Sequence, residues 1–232
     1  MDNKKMLIIG GIFIILVLGI TQFFLPLFAV SPTLPSATST PEQLSDATPA
    51  SIIATTTVHI KKPSLSNPLL LVDGDAVASW DFEGAYASHP ELIVKAEAEI
   101  TRLSDFLGKG VYTDMALYVA IANQYELLGN GKQEYDYLGR AIEAGGTGSG
   151  LPWHNLGVLM ERLGALKTAR VTYEKATLIQ PELKFYHYAY FEFLTTRMRD
   201  DTADIEKAFA TAIANLGQDA DILLLHSEWE KS

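Results

Sequence analysis

Between Gly150 and Pro181 the chain carries two apolar stripes at helical spacing, and no other stretch restricts the fold so tightly. Trp153, Leu156 and Met160 recur at i, i+3 and i+7, which places them on one face of a first helix. Gly164 provides a break, and Tyr173 and Ala176 continue an apolar stripe on a second helix. Pro181 ends that second helix, because proline lacks the amide donor and clashes with the preceding turn. Gly157 and Ala169 are small where the two helices must cross. The stretch therefore reads as two short amphipathic helices joined at Gly164.

The same pattern returns on both sides. Over 115–148, Tyr118, Ile121, Ala122, Tyr125, Gly129, Leu138 and Ala141 fall in the same register, with Glu134 where a small residue is expected and Gly129-Asn130-Gly131 as the turn. Over 184–217, His187, Tyr190, Phe191 and Leu194 form a first helix and Ile205, Phe209 and Ala212 a second. A degenerate copy is expected over 77–110, with Trp80 and Gly84 on a first helix cut short by His89-Pro90, and Leu92, Ala96, Ile100 and Leu103 on a second. Residues 219–231, with Ile222, Leu223, Leu225 and Trp229, make a last helix that caps the stack.

Taken with Trp153 at the fourth place, Leu156, Gly157, Gly164, Ala169, Tyr173, Ala176 and Pro181 fall at places 7, 8, 15, 20, 24, 27 and 32, and this series resembles the tetratricopeptide repeat family. The resemblance implies an all-α solenoid of about three to four helix-turn-helix units over residues 69–232. It also implies a concave groove lined by the first helix of each unit. The groove residues it implies here are Val119, Asn123, Glu126, Leu151, His154, Asn155, Arg162, Phe185, Tyr188 and Glu192. Asn123 and Asn155 match the two asparagines with which carboxylate-clamp members of the family hold a peptide backbone. Val119, Phe185 and Ala189 stand where that clamp needs Lys or Arg, so an acidic C-terminal tail is not the expected ligand.

Ahead of the helices, residues 6–30 contain no charged side chain, and this length exceeds the ~20 residues that cross a bilayer as a helix. Lys4 and Lys5 precede the span and no basic residue follows before Lys61. The positive-inside rule then puts the N-terminus in the cytoplasm and the repeats outside it. Residues 1–30 are expected to be a retained signal-anchor, with a cleaved signal peptide as the alternative, since Phe28-Ala29-Val30-Ser31 is a passable cleavage site. Residues 31–68 hold six prolines and fourteen Ser or Thr, a composition with too little apolar surface to offset ordering, so a disordered linker is expected. A short strand at Thr57-Val58-His59-Ile60 is the alternative there.

From Leu69 onward there are 14 basic and 25 acidic residues, a balance of −11, which argues against a nucleic-acid partner and for one that is neutral or basic. The chain has no cysteine, so thiol catalysis, thiolate metal sites and disulfides are excluded. Its five histidines have no two-ligand spacing, and Asp73-Gly74-Asp75 begins like a calcium loop but lacks the later carboxylates. Gly145-Gly146-Thr147-Gly148-Ser149-Gly150 follows no strand and has no phosphate-binding Lys, so it reads as a loop between units. No cofactor and no nucleophile elbow are indicated, and an enzyme is not expected. A membrane-tethered scaffold that binds a protein or peptide, with a role in secretion or envelope assembly, is the first expectation. A structural spacer or self-assembling envelope component is the alternative.

Overall fold

The computed structural model describes residues 71–145 and 148–231; the expected signal-anchor, linker and Thr57–Ile60 strand lie outside them. Eight α-helices make up the described fold: α1 (Pro90–Ser104), α2 (Asp114–Leu128), α3 (Gly131–Gly145), α4 (Leu151–Arg162), α5 (Leu166–Ile179), α6 (Lys184–Arg197), α7 (Thr202–Leu216) and α8 (Ala220–Glu230). None of them is long and apolar enough to cross a membrane. An isolated bridge between Asp81 and Asn130 is the β pairing among the described residues.

The helix ends follow local chemistry. Thr113 caps α2 by accepting a hydrogen bond from the Ala116 amide, and Gly129 closes that helix at φ 77°, a conformation other residues rarely adopt. Asp219 caps α8 through the Asp221 and Ile222 amides. Each helix packs mainly on its neighbours in sequence, so that α2 with α3, α4 with α5, and α6 with α7 form three successive hairpins. Helix α8 packs on both α6 and α7, with Leu225 and Trp229 against the core.

One core runs through all three hairpins, from Ala122, Leu138 and Trp153 through Leu156, Ala169 and Tyr173 to Phe191 and Ile205. Gly157 shows why this position is small: a Cβ there would sit 2.9 Å from the Tyr173 ring, closer than carbon atoms approach. A second cluster of Leu103, Leu117 and Ile121 joins α1 to α2.

The expected helix pair over 77–110 is not what forms. Residues 71–89 are non-helical and act as a strap, and Pro90, instead of cutting a helix short, occupies the first turn of α1. The strap is held by backbone pairing to the α2–α3 turn: Phe82 N–H donates to Gly129 O at 3.1 Å, Gly131 N–H to Trp80 O at 2.9 Å, and Tyr86 N–H to Leu127 O at 3.1 Å. These close approaches exclude side chains, since a Cβ on Gly84 would lie 2.3 Å from Leu127 O and one on Gly131 2.5 Å from Trp80 O. Trp80 and Gly84 therefore serve strap contacts rather than a helix crossing.

At its other end the strap completes α5. Ala165 stands at the N-cap of that helix and supplies no side-chain acceptor. Asp75 supplies it from far earlier in the chain, since its Oδ2 accepts from Thr168 N–H at 2.6 Å and from Thr168 Oγ1 at 2.7 Å, with Lys167 N–H approaching Oδ1 at 3.4 Å. Val72 N–H in turn donates to Thr168 Oγ1 at 3.0 Å. The carboxylate thus meets the first-turn amides and the positive end of the helix dipole.

Two outcomes follow from this packing. Asp75→Ala should lower unfolding stability by about 1–2 kcal/mol, and Asp75→Asn by less, in urea titrations. Trp153→Ala should cost about 3–5 kcal/mol in the same assay, because the ring is buried at the first helix crossing.

Candidate functional site

Helices α2, α4 and α6 share one face of the row, and the ten residues expected there separate into three groups. The first group is paired. Asn123 and Glu126 lie one turn apart on α2, as Asn155 and Arg162 lie two turns apart on α4. Asn155 Nδ2 donates to Asn123 Oδ1 at 3.0 Å, and Arg162 donates to Glu126 Oε1 at 2.8 Å. The Arg162 guanidinium also lies 4.6 Å from the centre of the Phe82 ring, so the strap holds it from outside. Asn123 Nδ2 and Asn155 Oδ1 carry no hydrogen bond among the described residues, which leaves donor and acceptor capacity for a peptide group.

The second group is buried. Val119 and His154 are each 5 % exposed, so neither is an open contact residue as expected. Val119 faces the core because the first helix of this unit turns an apolar side inward along more of its circumference than a single stripe. His154 is enclosed by rings, 4.6 Å from Phe185 and 5.6 Å from both Tyr173 and Tyr186 between centroids. Burial lowers its pKa to about 4, and its Nδ1 has no hydrogen-bond partner.

The third group is open. Phe185 is 42 % exposed although it is aromatic, Leu151 and Tyr188 are half-buried, and Glu192 is exposed. Phe185, Tyr188 and Glu192 recur at i, i+3 and i+7, one stripe of α6. Opposite them on α4, Glu161 Oε2 accepts from the Tyr173 hydroxyl at 3.0 Å while Arg197 Nε approaches Oε1 at 3.6 Å. Burial raises the pKa of Glu161, and burial together with the Glu161 charge raises that of Glu192. The face therefore offers amides at the α2–α4 end, and an exposed ring with underneutralised carboxylates at the α4–α6 end.

Sequence reasoning missed Glu134, which the repeat register marked only as a departure. It sits in the first turn of α3, 3 % exposed, and its Oε2 has no partner. Burial, with the nearby Glu126 charge, raises its pKa well above the usual carboxylate range, and Arg162 opposes this only in part. Its place at the small position of the register, four residues before Leu138 of the apolar stripe, was the available signal that this carboxylate would be enclosed. No group of three or more His, Cys, Asp or Glu is placed to hold a metal ion among the described residues, and Asp75 is engaged as a helix cap.

Glu134 and His154 act on stability in opposite directions. Glu134 has a folded pKa above its unfolded one, so its contribution is most favourable below about pH 4.5 and is lost as pH rises. His154 has a folded pKa of about 4, so its contribution is present above about pH 6.5 and is lost as pH falls towards 4. Glu134→Gln should accordingly raise unfolding stability at pH 7 by about 1–2 kcal/mol, with the gain over the parent vanishing near pH 4. Chemical denaturation at both pH values checks this. Comparison of the chain with protein-family models, with curated proteins and with solved structures found no match in any of the three.

Proposed function

We propose that the chain is a membrane-tethered scaffold of tetratricopeptide type, whose α2–α4–α6 face is a concave groove that binds a protein or peptide. The observation that carries this reading is that Asn123 and Asn155, from different helices, meet at 3.0 Å with a donor and an acceptor still unused, on the same face as the exposed ring of Phe185. A pair of amides on neighbouring helices suits the alternating N–H and C=O groups of an extended backbone, and an exposed aromatic on that face suits an apolar anchor. The uncharged stretch at 6–30 with Lys4-Lys5 before it supports a single N-terminal anchor with the helical domain outside the cytoplasm. The acidic balance of the domain favours a neutral or basic ligand. A role in secretion or envelope assembly fits such a tethered receptor.

The test is capture of a partner from envelope extract by the full chain, repeated with variants of the face. Asn123→Ala with Asn155→Ala should weaken binding by about 1–3 kcal/mol. Because the two amides satisfy each other, removing both orphans neither, and the melting temperature should change little. Leu178→Ala on α5, 66 % exposed and away from this face, should leave binding intact. Loss of capture with Leu178→Ala but not with the asparagine variant moves the site to the opposite side of the row. Self-association with no captured partner supports a structural spacer instead.

A further inference from the structure

At its α4–α6 end the same face presents an exposed aromatic ring at one end and an unpaired carboxylate at the other. Phe185 lies at the first turn of α6 with much of its ring in solvent, and beneath it His154 Nδ1 is buried without a partner. Seven residues further along the stripe, about 10.5 Å by helical rise, comes Glu192. The Glu192 carboxylate has neither hydrogen bond nor ion pair among the described residues, and it lies close enough to α4 and α5 to interact with the charge of Glu161 and with Tyr173.

The neighbouring cations are committed elsewhere. Arg197 reaches Glu161, and Lys184 holds Asp219 at 2.9 Å and Asp221 at 2.5 Å. Tyr188, midway along the stripe, feels the carboxylates of Glu192, Asp221 and Glu228. Glu192 is thus left without a cation. An exposed carboxylate with no cation beside it gains a modest, salt-dependent attraction from one that arrives with a ligand, and this steers which ligand is taken.

Resting on the binding-groove reading, we propose that the Phe185–Glu192 stripe takes an extended peptide segment in which a lysine or arginine reaches Glu192 while an apolar side chain three positions away packs on Phe185. The spacing selects the backbone form. In polyproline II geometry, residues i and i+3 share a face about 9 Å apart, close to the separation of the two anchors. In a β-strand the same-face backbone spacings are about 6.7 and 13.4 Å, both further from the roughly 10.5 Å helical rise than the polyproline spacing. The peptide backbone then passes over Asn155, whose Oδ1 accepts an N–H.

The probe is a fluorescent acetyl-Gly-Leu-Pro-Pro-Arg-Gly amide, titrated by anisotropy against the full chain in detergent. Saturable binding is expected, at least about tenfold weaker for the peptide with Glu in place of Arg, and weakening as salt rises. Glu192→Gln, at an exposed position, should reduce affinity about fivefold or more and flatten the salt dependence without altering the melting temperature. Phe185→Ala should weaken the parent peptide but not one with Gly in place of Leu, as expected if those two groups meet. Equal binding of the Arg and Glu peptides, or no change with Glu192→Gln, overturns the proposal. Binding that emerges only after Lys61→Ser and Lys62→Ser also overturns it, by making the chain's own basic pair the occupant. If the peptide series fails while Phe185→Ala still abolishes capture of a partner, the ligand chemistry is wrong and the binding face stands. If Phe185→Ala and the Asn123/Asn155 variant both retain the partner, the face itself is wrong.

Discussion

A two-helix unit of this length exposes apolar side chains on both sides, and the stacking that hides them governs everything else in the molecule. Trp153, Leu156 and Met160 cannot be covered by α5 alone, so α4 must also meet α3, and α5 must meet α6. Close stacking in turn demands a glycine at 157, where the ring of Tyr173 leaves no room for a Cβ. The first helices of successive hairpins are brought alongside one another as a consequence. That is how Asn123 comes to meet Asn155 and Glu126 to meet Arg162.

Stacking also creates two ends and an edge that need closure. Helix α8 closes one end against α6 and α7. The edge is closed by the strap, whose backbone pairs with the α2–α3 turn and whose Asp75 caps α5. Because Phe82 of the strap also lies on Arg162, the segment that leads into the helical domain is fastened directly to a residue of the proposed binding face.

The helices are legible in the sequence because helical periodicity and small residues at crossings are local signals. Trp153, Gly157, Ala169 and Tyr173 declare their packing within one window. The strap is not legible, because its contacts span up to 96 residues, as from Val72 to Thr168, and Trp80 with Gly84 imitates the spacing of a first helix. In sequence Asp75 resembles only a poor calcium ligand, since nothing local shows that Ala165 leaves α5 uncapped. At the site, the stripe of Phe185, Tyr188 and Glu192 is legible from the register. The burial of Val119 and His154 and the mutual pairing of Asn123 with Asn155 are not, because they depend on how neighbouring units sit against one another.

The account stands on the claim that partners meet the face shared by α2, α4 and α6. Site-specific photo-crosslinking of the full chain in native membranes tests this whatever the identity of the partner. A photoreactive side chain in place of Phe185 or Glu192 should yield a discrete crosslinked species, and one in place of Leu178 on α5 should yield none. A species from position 178 with none from 185 or 192 would contradict the account.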